Sequence, residues 1–173
     1  LEDEKPDIKL LLNNAGIGYL GAYEEMGIKS VDDFCNLNCT VPAELISLVL
    51  PYMHENSGIL NISSASSFQP NPYLSLYSAS KVFLKNLSRS LYMELKPRKI
   101  SVTAVCPGWI DTDMLPKNVN GKRIKYMGII SAKKVAEKAL RDNRRGKDIS
   151  TPGWFSKYFR VYSKITPTRL VMN

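Results

Sequence analysis

Gly58-Ile59-Leu60-Asn61-Ile62-Ser63 and Ile100-Ser101-Val102-Thr103-Ala104-Val105-Cys106 are two short, largely apolar runs. The first gives way to Ser64 and the second breaks at Pro107-Gly108, so both read as buried strands ending in turns. Between them Leu76, Val82, Phe83, Leu84, Leu87, Leu91 and Leu95 recur at helical spacing until Lys96-Pro97 stops the pattern. Strand, long helix, strand implies parallel pairing across a crossover, and therefore an α/β layered fold.

Working outward, Ile8 to Asn13 is a third apolar run, entering the turn Asn13-Asn14-Ala15-Gly16. A helix is expected next, with Ser30 as N-cap and Asp33 in its first turn, carrying Phe34, Leu37, Val41, Leu45, Leu48 and Val49 up to Pro51. Pro42 within it predicts a kink or a bulge. Downstream, the periodicity lapses over 108–130, which predicts a long mobile loop at the carboxyl ends of the strands, where α/β sheets bind ligands. Ser131 reads as the N-cap of a helix through Val135, Ala136, Ala139 and Leu140. Trp154, Tyr158, Val161, Tyr162 and Ile165 form one stripe of a final helix.

Composition narrows the function classes. With 44% hydrophobic and 23% charged residues, the chain is of ordinary globular make-up. It opens on Leu1 and a polar stretch, read as a chain lacking its natural N-terminus rather than as a secretory signal. No uninterrupted apolar run approaches the ~18–20 residues of a membrane span, so a soluble protein is expected. Cys35, Cys39 and Cys106 form no CxxC pair and His54 is the single histidine, which argues for reduced thiols, a cytoplasmic setting and no metal site. Charge is uneven: residues 1–95 carry 6 basic and 11 acidic side chains, and 96–173 carry 18 and 5. Such a basic half suits solvated surface, phosphate-bearing substrates, an acidic carrier or an anionic membrane. No recognition motif points to nucleic acid.

Gly16-Ile17-Gly18-Tyr19-Leu20-Gly21 spells GxGxxG directly after a strand, but the residues after Gly21 lack the apolar pattern of a helix. It is therefore read as a tight turn at the edge of a cleft, not a pyrophosphate cradle. Tyr77-Ser78-Ala79-Ser80-Lys81 is more informative. Tyr77 and Lys81 stand one helical turn apart on one face, and an ammonium beside a phenol favours the phenolate. Alone, this spacing is most often surface packing. Ser64, at the end of the strand before, can reach the same cleft.

Asn13-Asn14-Ala15-Gly16, Asn38, Ile62-Ser63-Ser64, Tyr77 with Lys81, and Pro107-Gly108 followed by Thr112 occur in an order that resembles the short-chain dehydrogenase/reductase family. The resemblance implies a Rossmann-like, doubly wound parallel sheet, here the C-terminal two thirds of the domain. Residues 1–153 would form a partial catalytic domain, with 108–130 a substrate lid within it and 154–173 a basic aromatic tail. It also implies NAD- or NADP-dependent hydride transfer between nicotinamide and an alcohol or ketone. Tyr77 would be the general acid or base, Lys81 would lower its pKa and hold the ribose, Ser64 would bind the substrate oxygen, and Asn38 would anchor a relay water. Asn14, Ala15, Gly16, Pro107, Gly108 and Thr112 would join Tyr77 and Lys81 around the cofactor.

The family's TGxxxGxG turn is absent from this sequence, so a non-catalytic binding or scaffold fragment is the rival reading. Trp109, Ile110, Met114, Leu115, Tyr126 and Met127 in the lid admit a lipophilic substrate. The long helices near Asp32 and Leu76 resemble those through which the family assembles homo-oligomers. For 154–165, packing against the core or a second subunit is expected ahead of peripheral membrane contact.

Overall fold

The computed structural model describes every residue except 114, 116, 117, 120, 121 and 173. In chain order, strand β1 (Leu10–Asn13) leads to helix α1 (Ile28–Cys35), a π turn (Asn36–Thr40) and helix α2 (Val41–Val49). Strand β2 (Gly58–Ile62), helix α3 (Ser75–Leu95) and strand β3 (Ser101–Val105) follow. Short bridges β4 (Ile110–Asp111), β5 (Asn118–Val119), β6 (Lys122–Arg123) and β7 (Ile130–Ser131) precede helix α4 (Ala132–Arg144). Strand β8 (Ile149–Ser150) and helices α5 (Trp154–Ile165) and α6 (Thr168–Val171) complete the chain.

The main sheet has the order β1-β2-β3-β8 with every pair parallel. Strand alternation distributes its side chains to two faces. Ile59 and Val102 meet Ile46, Val49 and Leu95 on the side of α2 and α3, whereas Leu60 and Val105 meet Val135 and Ala139 of α4 on the other. Each fully buried aliphatic side chain contributes roughly 1.5–3 kcal/mol. Helices on both faces make this the expected doubly wound α/β arrangement.

The bulge expected around Pro42 is the π turn just before it. Proline has no N–H to return to the Asn38 carbonyl, so the α-helical bond cannot form there, and Val41 donates instead to Asn36 one residue further back. The helical run Ile28–Tyr52 is long and apolar enough by composition to cross a membrane, yet Phe34, Asn38, Ile46 and Val49 turn inward from it to the core.

Two expectations need correction. Ser30 lies inside α1; the N-cap is Gly27, in extended backbone, whose carbonyl takes the first bond from Val31 N–H. The lid 108–130 is not without structure: β4 pairs with β7, Ile130 N–H bonds to the Trp109 carbonyl at 3.0 Å, and β5 pairs with β6. Met114 of the expected lid lining lies outside the described residues. Strand β8, too short and too polar to show a period, escaped the sequence reading, as did α6. Ser131 does cap α4, accepting from Lys134 N–H.

Polar groups tie the layers together. Asn13 donates to Asn61 Oδ1 at 2.8 Å, Asn61 to Ser88 Oγ at 2.9 Å, and Ser88 to the Leu84 carbonyl at 2.6 Å, joining β1, β2 and α3. On the opposite face Asn143 donates to Ile59 and Ser101 carbonyls, and a β-carbon on Gly58 would come within 2.3 Å of its Oδ1. Asp142, 2% exposed, meets Lys138 at 2.6 Å, Lys147 at 2.9 Å and Ser150 Oγ at 2.7 Å. Burial opposes its charge, but those bonds win and hold its carboxyl down at about 2. Because the folded pKa lies below the unfolded one, the stabilisation is present above the ordinary carboxylate range and fades as pH falls through about 2. Acid titration of unfolding should show Asp142→Asn roughly 2 kcal/mol less stable at neutral pH, the deficit shrinking below pH 4. A deficit unchanged by acid would refute this role.

Candidate active site

The end of β2 is sewn to the end of β3. Ser63 N–H bonds to the Val105 carbonyl and Ala65 N–H to the Pro107 carbonyl, both at 2.8 Å, with Ser64 between them. Ser64 then caps a 3-10 turn: its Oγ accepts from Ser66 N–H at 3.1 Å, and Ser67 Oγ donates to its carbonyl at 2.6 Å. Since the oxygen already accepts a hydrogen bond, the Ser64 hydroxyl proton is left to donate elsewhere. Asn71 ties this turn to α3, donating to the Ser66 and Gln69 carbonyls and, at 2.9 Å, to Ser78 Oγ. Asn71 is a positioning residue the sequence reading missed; its signal was the Pro70-Asn71-Pro72 turn.

Helix α3 presents Tyr77 and Lys81 to the same place. Ser63 Oγ donates to the Lys81 carbonyl at 2.7 Å, locking helix to strand. Lys81, only 5% exposed, bonds through Nζ to the Ile62 carbonyl at 3.0 Å and lies over the Tyr77 ring, 5.5 Å from its centre. Burial lowers its pKa to about 8.

Tyr77 departs from expectation. Burial pushes its phenol above the ordinary value of 10, and the Ser64 hydroxyl draws it only part of the way back. Lys81 was expected to depress it, but Nζ is engaged by the Ile62 carbonyl, and no hydrogen bond joins it to the phenol among the described residues. Tyr77 is therefore a protonated phenol at neutral pH.

Asn38 is fully buried and clamps a neighbouring loop. Its amide accepts from Ile17 N–H at 2.9 Å and donates to the Ile17 carbonyl at 2.8 Å, as a strand partner would. This draws Gly16 in, where a β-carbon would sit 3.1 Å from Asn38 Oδ1 and 3.3 Å from Lys81 Nζ. Gly18 lies against the Tyr77 ring. No α-helix starts at Gly21: residues 14–20 have no regular structure, and a 3-10 turn follows at Tyr23–Glu25. Contacts thus unite Gly16, Asn38, Ser64, Tyr77, Lys81 and Pro107. Gly108 abuts Phe155 of α5, while Asn14, Ala15 and Thr112 are exposed around the rim and touch none of these groups through a described hydrogen bond.

Residues 1–123 match the family described as short chain dehydrogenase. The chain belongs to that family. Among its relatives, the very-long-chain 3-oxoacyl-CoA reductase of Anas platyrhynchos is 42% identical over 116 residues, 62% of this chain and 36% of that protein. Hydroxysteroid dehydrogenase-like protein 1 of Gallus gallus is 33% identical over 154 residues, 86% of this chain and 45% of that protein. A short-chain dehydrogenase from Sphingobium yanoikuyae in complex with NADPH superposes with a TM-score of 0.71 at 27% identity, covering 84% of this chain and 57% of the other. The chain thus spans less than half the length of these two curated relatives.

The donor set of this short-chain dehydrogenase suits the nicotinamide-ribose end of a dinucleotide. Lys81 has three N–H donors and one described acceptor, and the absence of a side chain at Gly16 keeps the space beside Nζ open. The TGxxxGxG turn that would present a helix N-terminus to a pyrophosphate does not occur in this sequence.

A buried ammonium has a measurable signature. Its folded pKa lies below the unfolded value of 10.5, so the penalty acts in full below pH 8 and is relieved as pH rises from 8 to 10.5. Lys81→Met should gain stability relative to the parent at neutral pH, and that relative gain should shrink by up to roughly 3 kcal/mol across the interval in denaturant titrations. A difference that does not vary with pH would disprove the burial argument.

Proposed function

We propose that this chain carries the catalytic portion of an NAD- or NADP-dependent oxidoreductase that acts on a ketone/alcohol pair, working as a carbonyl reductase. The observation that carries the reading is the half-buried Tyr77 phenol, hydrogen-bonded to the Ser64 hydroxyl, with the Lys81 ammonium 5.5 Å from the centre of its ring. A phenol held neutral is a proton donor. When bound, the nicotinamide supplies the hydride to the carbonyl carbon. Tyr77 gives its proton to the carbonyl oxygen as charge develops there, and the Ser64 O–H stabilises the same oxygen. Lys81 would hold ribose hydroxyls, a role that needs its ammonium form and is therefore strongest below its pKa of about 8. Asn38 acts through position, by fixing the loop that carries Gly16.

A lipophilic ketone is the substrate class we favour. The names of the duck and chicken relatives point the same way, and the lid exposes Trp109, Met127 and Ile129. We also propose a cytoplasmic homo-oligomer: Cys35, Cys39 and Cys106 are free thiols, and α2 and α3 expose Leu45, Leu48, Phe83 and Met93. The rival, a non-catalytic binding fragment, draws on the missing pyrophosphate cradle and makes a different forecast.

The test measures NADH and NADPH oxidation with a panel of lipophilic ketones, with thermal protection by each cofactor read in parallel. Tyr77→Phe should cut kcat/KM by on the order of 10²–10⁴ while cofactor protection persists. Undiminished turnover in that variant would sink the mechanism, and a folded chain that neither cofactor protects would favour the rival.

A further inference from the structure

Helix α5 divides its circumference three ways. Phe155, Ser156, Phe159 and Tyr162 turn to the body of the protein, against the 3-10 turn that follows Ser64 and against Gly108. Trp154, Tyr158, Val161 and Ile165 form a solvent-facing stripe with exposures of 58%, 57%, 60% and 76%. Lys157, Arg160 and Lys164 occupy the flank next to that stripe, on the side away from the aromatic contacts. The sequence favoured packing of this stripe on the core or a second subunit, yet against the described residues of the chain its four side chains stay more than half exposed.

The stripe does not end with the helix. A β-carbon on Gly128 would lie 3.4 Å from the Trp154 indole and 2.7 Å from Phe155, so the lid segment Met127-Gly128-Ile129 rests on the first turn of α5. Met127 and Ile129 are 64% and 44% exposed and extend the apolar surface from the tail to the lid. After Asp148 the chain holds no acidic residue, while Lys157, Arg160, Lys164 and Arg169 are all basic. Arg160 and Lys164 also lie close enough to Lys85 of α3 to oppose its protonation, so the positive field reaches beyond one helix.

We infer that α5 is an interfacial helix that lays this protein on an anionic membrane surface, with the lid at the lipid boundary. Charge complementarity selects this occupant. A second copy of the chain would bring the same basic flank against itself, whereas anionic headgroups neutralise it while the acyl boundary accepts the apolar stripe. Aromatic residues such as Trp154 and Tyr158 suit the headgroup depth. The inference is independent of the catalytic reading, because it concerns where the surface docks and requires no turnover.

The test is co-sedimentation of the chain with vesicles of phosphatidylcholine containing about one-third phosphatidylserine, against pure phosphatidylcholine. Binding should require the anionic lipid and fall with added salt. Lys157→Gln with Lys164→Gln should weaken it by about 30-fold, or roughly fivefold per charge removed. Ile165→Ser should weaken it too, whereas Ile28→Ser, at a still more exposed apolar position on α1, should not. Circular dichroism checks that each variant folds. Brominated phosphatidylcholine in the anionic vesicles should quench the Trp154 fluorescence of the unaltered chain, so the outcome does not hang on the variants. Absence of binding, equal binding to neutral vesicles, or equal loss in Ile28→Ser would overturn the inference. So would a dimer that shields Trp154 from acrylamide without any vesicle binding, which would assign the stripe to a second copy.

Discussion

The burial of the Lys81 ammonium is the constraint around which the rest of the site is arranged. An unpaired charge in the interior is prohibitively costly, and the fold answers with the Ile62 carbonyl at 3.0 Å and the face of the Tyr77 ring. That carbonyl is the last of β2, so the lysine is anchored to the strand that delivers Ser64. The same anchoring explains why Gly16 must be small: a β-carbon there would sit 3.3 Å from Nζ and 3.1 Å from Asn38 Oδ1. The Tyr77 phenol stays above its ordinary value, because burial is the larger influence on it and the lysine is turned to the backbone.

Fold and site are coupled through polar groups that sit where apolar ones would be expected. Asn13, Asn61 and Ser88 fix β1, β2 and α3 in register. Asn38 fixes the loop after β1 against the π turn that Pro42 imposes. These buried amides hold positions to within a hydrogen-bond length, a precision that non-directional apolar packing cannot supply. The Asp142 cluster does similar work on the far face, joining α4 to β8.

Much of this was legible in the sequence because periodicity reports burial. The runs from Gly58 and Ile100 and the heptad-like leucines between them became β2, β3 and α3 almost residue for residue. Tyr77, Lys81 and Ser64 were legible as a group, and the structure brings them together. What escaped was set by contacts distant in the chain. Asn61, Ser88 and Asn143 look like surface residues by composition, and only the partners across the layers reveal them as core. The direction taken by Lys81 depends on a strand-end carbonyl from another element. Strand β8 is two residues long and owes its existence to pairing with β3. Ser30 was a better cap by side chain than Gly27, but the backbone enters the helix three residues earlier, at Gly27.

The account stands on a tyrosine that is an acid rather than a base at neutral pH. Its most direct test is a titration of Tyr77 followed by NMR of chain labelled with ¹³C at the phenolic carbon of tyrosine, assigned with Tyr77→Phe and repeated in Ser64→Ala. The prediction is a Tyr77 pKa above the ordinary 10, rising further when the Ser64 hydroxyl is removed. A value at or below 10, or one that Ser64→Ala leaves unmoved, would contradict it.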